Sequence, residues 1–393
     1  MRAAGSNRSL LIVCCGLAAA LYYFWNSLHG LKQLADPEVV EDEHELDVSS
    51  ALIDVPLPQV SFPKYAEYPA HNSKNPKGYA YATLLCTHDP NERDPFFIAA
   101  QQIVWRILWS DWHSQYPIIV FVCPSTPSYQ RRILAGQGAI IEEIELITVS
   151  DPSKLHLSRW RDQLTKLNMW KYTDYKRITF LDVDAFPVQN MDDIFDVVPT
   201  QECIRSKLNA EDKKVMEDPA AGRELCGYTF GGTVMSENDG AYLNGGVFVF
   251  APSRVWHAKL MRDLEKTDQY DVQTAEQGLL DSVLGFSKRG PFPRHDFSQN
   301  YNADGQFYLD HNERGTIKVI HCKMWSPLSL THAPELNIRW DVDWMSMARF
   351  YDSDIFALAR QTGHRKEPLE VLGEMAEKAE AKKRRKKKGG HHK

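Results

Sequence analysis

The apolar run Ile178-Thr-Phe-Leu181 leads straight into Asp182-Val-Asp184. In an extended chain alternate side chains point to the same face, so both carboxylates can aim at one point beyond the strand's end. Two carboxylates that close repel unless a cation or a bound proton lies between them. A hard divalent ion with oxygen ligands is the simplest answer. Strand ends in open α/β sheets are also where ligands bind. The pair therefore reads as a metal seat able to hold a diphosphate. Asp is equally a frequent turn residue after a strand, so the pair alone leaves that plainer explanation open.

Other segments raise the first possibility. Upstream lies Leu164-Thr-Lys166-Leu-Asn-Met-Trp170, a helical stretch with one cation. Lys166 also suits a helix-end cap or an exposed ion pair. Downstream, Asn244 precedes Gly245 and Gly246, which let a ligand approach the backbone closely or simply turn the chain into strand Val247–Phe250. Glu276-Gln277-Gly278 opens a helix, where an acid is also favoured by the helix dipole. His321 closes the apolar pair Val319-Ile320. A lone histidine is more often structural. With Asp182 and Asp184 it makes a mixed oxygen and nitrogen set that suits Mn2+ better than calcium. Trp105, Trp109, Trp112, Trp160, Trp170 and Trp325 offer stacking faces for sugars, although packing is the commoner use.

Taken in order, these segments resemble glycosyltransferase family 8, the glycogenin-like retaining enzymes. The resemblance spans roughly Tyr79 to Pro327 and implies a GT-A type α/β domain. Tyr81-Ala-Thr-Leu-Leu-Cys-Thr87 is similar to the strand that holds uracil and ribose, which implies donor contacts at Leu84, Cys86 and Thr87. By the same resemblance, the helix carrying Lys166 is expected to approach the sugar nucleotide. Phe180-Leu-Asp-Val-Asp184 matches the metal motif, so Asp182, Val183 and Asp184 meet the diphosphate, and His321 is the third metal ligand. Leu243-Asn-Gly-Gly-Val-Phe248 implies that Asn244 and Gly245 meet the donor sugar. Asn244, Glu276 and Gln277 are thereby the candidate catalytic residues, and Lys323 a candidate for the diphosphate. The chain departs from the family at Glu276, where Asp is usual, and at His321-Cys-Lys-Met-Trp325, which is shorter than the usual glycine-containing segment. No counterpart of a self-glucosylated tyrosine segment is present, so the implied acceptor is a separate glycan or glycoconjugate and the donor a UDP-sugar.

The chain has 393 residues, of which 43% are hydrophobic and 25% charged, globular values that supply a sizeable core. Its net charge is −6. The stretch Lys382 to Lys393 holds eight Lys or Arg and no acid, which leaves −14 on residues 1–381. An acidic body argues against broad nucleic-acid binding. Seven cysteines are too few for a disulfide scaffold at this length. Cys86 and Cys123 fall in expected core strands and read as free buried thiols. Cys203 and Cys226 flank an insertion and can pair in an oxidising lumen.

Arg2 and Arg8 precede the apolar run Leu10 to Trp25, which Asn26 to Leu28 extend toward the ~20 residues a bilayer needs. Tyr22, Tyr23 and Trp25 fit interfacial anchors. The expected organisation is a cytosolic N-terminus (1–9), a transmembrane signal anchor (10–28) and a Pro-rich stem (29–77). A catalytic domain (78–350), with an insertion at 200–239, precedes a helical, basic tail (351–393). Such a chain is a type II protein of the Golgi or ER membrane with its domain in the lumen. A signal peptide cleaved near Ala18-Ala-Ala20 is the alternative. Strands at Tyr79–Cys86, Ile118–Cys123, Ala139–Ile147 and Arg177–Leu181 alternate with helices at Asp94–Trp109, Pro127–Ala135 and Ser158–Tyr172. That alternation predicts a mostly parallel sheet covered by helices. Two other functions remain open on sequence. One is a Golgi galactosyl- or mannosyltransferase of another Asp-x-Asp family. The other is a non-catalytic, membrane-tethered sugar-binding protein.

Overall fold

The computed structural model describes residues 52–149, 158–237, 240–285, 290–311, 313–326 and 333–362, with a few isolated residues beyond. The expected anchor at 10–28 and the basic run at 382–388 lie outside the described residues. Among the described residues no helix is long and apolar enough to cross a membrane.

Apolar β-rich segments assemble into a seven-stranded sheet. Its order is His295–Phe297, Phe230–Glu237, Gly240–Phe250, Arg177–Leu181, Tyr79–Leu85, Ile118–Val122 and Ile140–Glu143. The last four strands pair in parallel, as expected from their helical crossovers. Strand Gly240–Phe250 instead runs antiparallel to both its neighbours, so the sheet is mixed. The difference comes from the connection. Phe230–Glu237 and Gly240–Phe250 are consecutive and only two residues apart in sequence, too few for a parallel crossover, so they pair antiparallel.

Two apolar layers cover the sheet. On one face lie helices Pro95–Leu108 and Pro334–Tyr351, whose Phe97, Ile103, Trp340 and Trp344 are buried. On the other lie Ser158–Lys171, Arg254–Leu264 and Ala275–Val283, with Leu167, Trp170, Leu260 and Leu280 buried. Helix Pro95–Leu108 shows how the sequence sets its own boundary. Asp94 caps it by accepting a hydrogen bond from the Phe97 N–H at 2.7 Å, and Pro95 occupies the first turn, where no N–H is needed.

Burial pushes the Asp94 carboxyl up from 3.8 to about 6. A raised acid pKa means that the folded chain holds a proton the unfolded chain has lost. The contribution of Asp94 to stability is therefore greatest below 3.8 and is lost as pH rises through about 6. Asp94→Asn keeps an acceptor for the Phe97 N–H and removes the titration. Urea denaturation at pH 4 and pH 7 is expected to show a smaller loss between the two in the variant than in the parent. An equal loss in both proteins would rule Asp94 out as the source.

Packing extends past both expected domain boundaries, before residue 78 and beyond 350. Val55, Phe62 and Tyr65, placed in the stem, are buried, and the Trp344 indole donates to the Pro56 carbonyl at 2.8 Å. Helix Asp354–Thr362, placed in the tail, buries Phe356 and Arg360. The Arg360 guanidinium donates to the carbonyls of Gly136, Pro69 and Tyr65 at 2.9 to 3.1 Å, which ties the two ends of the domain together. Aromatic anchors at positions 62, 65 and 356 override the proline-rich and charged composition around them.

The insertion is also structured. It forms helices Ala210–Val215 and Pro219–Cys226 and delivers strand Phe230–Glu237 to the sheet. Asp212 is buried and binds Lys259 at 3.2 Å on helix Arg254–Leu264. Cys203 and Cys226 form the disulfide that their spacing allowed. Cys86 and Cys123 form another, contrary to the expected free thiols. They end two neighbouring parallel strands, which leaves their Cα atoms 4.9 Å apart, within bridging distance.

Candidate active site

Strand Arg177–Leu181 carries the site. After Leu181 the Asp182 N–H donates to the Gly246 carbonyl at 2.7 Å, and the Cys322 N–H donates to the Asp184 carbonyl at 3.1 Å. A second, three-stranded sheet made of Ala303–Asp304, Val319–His321 and Ala185–Pro187 places His321 opposite Ala185. Asp182, Val183 and Asp184 are thus held between two sheets, with His321 brought beside them from far along the chain.

One ligating atom from each of Asp182, Asp184 and His321 lies within 4.8 Å of the others. The donor set fits a divalent cation, and the neighbouring charges support that fit. Each carboxylate has taken a positive partner from the protein. Lys166 Nζ lies 2.7 Å from Asp182 Oδ1, and His321 Nε2 lies 3.3 Å from Asp184 Oδ1. Burial opposes charge on both Asp184 and His321. Their attraction outweighs it, holding the carboxyl below its usual range and the imidazole above its own.

Lys166 is 2% exposed and bridges two acids, with Glu276 Oε1 at 2.6 Å on its other side. Burial works against its charge, but Asp182 and then Glu276 more than offset this and raise its pKa. Burial raises Glu276 above the usual carboxylate value, and Lys166 partly counters it. Glu276 is therefore sealed against Lys166.

Two amides are oriented by backbone donors. The Gly245 N–H donates to Gln277 Oε1 at 2.9 Å, and the Gly246 N–H to Asn244 Oδ1 at 2.9 Å. With the oxygens engaged, both side chains offer their NH2 groups as donors, the polarity needed for sugar hydroxyls or phosphate oxygens. Gly246 has a second role. A Cβ there would collide with His321 Cε1. Gly246→Ala is expected to push the imidazole aside, weaken Mn2+ binding at least 10-fold and cost about 1–3 kcal/mol of stability through overpacking. A manganese titration with unchanged affinity would show that His321 does not ligate.

The remaining expected donor residues are placed unevenly. Leu84 and Thr87 are buried at the end of strand Tyr79–Leu85, and Thr87 Oγ1 accepts from the Asp89 N–H at 3.1 Å. Cys86 is engaged with Cys123. Val183 packs partly buried on the core. Lys323 contributes to holding the Asp184 carboxyl low, and its Nζ lies 5.8 Å from the Phe96 ring centre. Of the tryptophans proposed to stack on sugars, Trp105, Trp109, Trp170 and Trp325 are buried in packing. Sequence reasoning missed Asn302, which touches both His321 and Asn244 at 2.9 Å. It follows a tyrosine before a two-residue strand, a setting with no periodicity to read.

No protein-family profile matches the chain. Among curated proteins, galactinol synthase 7 of Arabidopsis thaliana is 26% identical over 217 residues, 53% of this chain and 63% of that protein. Galactinol synthase 1 of Solanum lycopersicum is 28% identical over 42% of this chain and 50% of its own length. The matched region thus spans about half to two thirds of these relatives. An uncharacterized Schizosaccharomyces pombe protein, C4C3.09, is 25% identical over 74% of this chain and 83% of its own. The solved glycosyltransferase GlyE of Streptococcus pneumoniae covers 69% of the chain at 14% identity and a TM-score of 0.43, a likeness too slight to define the fold. The site residues and the galactinol synthases together show a chain resembling the family 8 nucleotide-sugar transferases.

Proposed function

We propose that this chain is a retaining glycosyltransferase of GT-A type. It moves a hexose or N-acetylhexosamine from a UDP-sugar to a glycan or glycoconjugate acceptor and depends on Mn2+. The observation that carries this proposal is the convergence of Asp182, Asp184 and His321 beside the Lys166–Glu276 pair and the oriented amides of Asn244 and Gln277. Asp182, Asp184 and His321 would hold the cation, which supplies Lewis-acid charge to the diphosphate.

The chain's own residues do the rest. Lys166 keeps a fixed positive charge next to Asp182 and steadies negative charge on the leaving group. The NH2 groups of Asn244 and Gln277 hold the sugar in register. Glu276 fixes Lys166 through its Oε1 at 2.6 Å.

Two disulfides support the lumenal placement inferred from the N-terminus, since such bonds persist in oxidising compartments. We place the chain in the Golgi or ER membrane, anchored through residues 10–28. A screen for hydrolysis and transfer across UDP- and GDP-sugars, with Mn2+ or with a chelator, tests the function. Galactinol formation, named by the relatives, is one arm. UDP release that needs Mn2+ is the expected result. Sugar binding without turnover of any donor would instead support a non-catalytic tethered protein.

A further inference from the structure

One hydrogen-bonded chain joins the metal seat to the sugar-facing amide, and its direction is fixed from the backbone. The Gly246 N–H can only donate, so the Asn244 atom it meets at 2.9 Å is the oxygen. Asn302 touches that same oxygen at 2.9 Å and must present its NH2 there. The other end of the Asn302 amide is therefore its oxygen, and it faces His321 Nδ1 at 2.9 Å. An oxygen accepts, so Nδ1 carries the hydrogen. In the neutral ring Nε2 is then the lone-pair nitrogen. It faces the Asp184 carboxylate at 3.3 Å, so Asn302 and Asp184 compete for the ring proton until a cation comes between Nε2 and the carboxylate. Asn302 is 1% exposed, so water does not compete for either contact.

We propose that Asn302 is a positioning residue. It locks the neutral His321 ring with its proton on Nδ1 and its Nε2 open to the cation, and it locks Asn244 with its NH2 open to the donor sugar. The proposal rests on the glycosyltransferase function above for the word sugar, but the locking itself does not. Partners of ligating histidines are worth 10–100-fold in metal affinity or activity where measured. Here the same residue has two arms, so loading of the cation and seating of the sugar are linked through one amide. No residue in the chain from Gly246 to His321 has to move for the linkage to operate.

The two arms separate by substitution. Asn302→Leu is close in shape and removes both. Asn302→Asp keeps an acceptor for His321 Nδ1 but turns an oxygen toward Asn244 Oδ1, so it damages the sugar arm alone. The first measurement needs neither metal nor turnover. Nitrogen-15 NMR of the full, metal-free chain, at a pH where the His321 ring is neutral, reads which nitrogen holds the proton. Nδ1–H is expected in the parent and in Asn302→Asp, and a mixture of both forms in Asn302→Leu. Mn2+ titration should then show at least a 10-fold weaker Kd for Asn302→Leu and a change under about 3-fold for Asn302→Asp. Donor KM should rise in both variants. A parent ring protonated on Nε2 overturns the proposal whether or not either variant folds. So does an Asn302→Leu protein that keeps the parental tautomer. If the parent shows Nδ1–H but no donor is ever turned over, the positioning role stands and the proposed function falls.

Discussion

Asp184→Asn is expected to lower turnover by about three orders of magnitude, with the domain still folded. A cation on a diphosphate stabilises leaving-group charge by several kcal/mol, and each 1.36 kcal/mol is worth tenfold in rate. The substitution removes one negative ligand of the three and also dissolves the 3.3 Å pair with His321. The new amide has the shape of the carboxylate and fits the same space. The strand register that places it depends on backbone contacts to Cys322 and Gly246. Steady-state rates, manganese titration and a thermal melt check the three parts together. Undiminished Mn2+ affinity alongside normal turnover would sink the metal assignment. A collapsed melt would instead make Asp184 a structural residue.

Lys166→Met should have the larger effect on stability. It keeps the volume and deletes the positive charge between Asp182 and Glu276, leaving two acids side by side. Breaking a buried ion pair in this way costs about 3–5 kcal/mol. The sign with pH follows from Glu276, whose carboxyl is already held above its usual value by burial and is lowered by Lys166. Without Lys166 it rises further, so the folded variant holds a proton that the unfolded chain has released. The deficit should be largest at alkaline and neutral pH and shrink as pH falls through that raised value. Urea denaturation at pH 5 and pH 8 measures it. Adding Glu276→Leu should recover most of the stability and none of the turnover, since an apolar pair can replace a buried ionic one. A double variant no more stable than Lys166→Met would show that the Glu276 charge is not the cause.

The legible part of this chain was whatever lies within one strand or one loop. Asp182 and Asp184 stood out as two acids closing an apolar strand, although they sit in the turn after it, where the Ala185 N–H donates to the Asp182 carbonyl at 2.8 Å. Gly245-Gly246 and the strands on either side were visible as local composition. Pairings across long sequence distances were not legible from the residues themselves. Nothing in positions 166 and 276 announces a 2.6 Å contact, which exists because two helices pack on the same face of the sheet. The Cys86–Cys123 bridge likewise follows from neighbouring strand ends. The stem boundary failed for a different reason. Prolines at 56, 58 and 63 do break regular structure, but an irregular segment still packs when Phe62 and Tyr65 find a core. Asn302 was invisible because a buried amide in a short connection looks like any loop asparagine.

The pairing of His321 with Ala185 bears on how the protein is made. As the chain leaves the ribosome, both acids of the seat emerge with strand Arg177–Leu181, and the insertion and the long hairpin follow. Only when residues 319–321 emerge and find the edge beside Ala185 does the third ligand arrive. Before then Asp182 can pair with Lys166, while Asp184 still lacks the partner that His321 supplies. A truncation ahead of Val319 would leave the Asp182-Val-Asp184 motif intact in a product that cannot complete its metal centre.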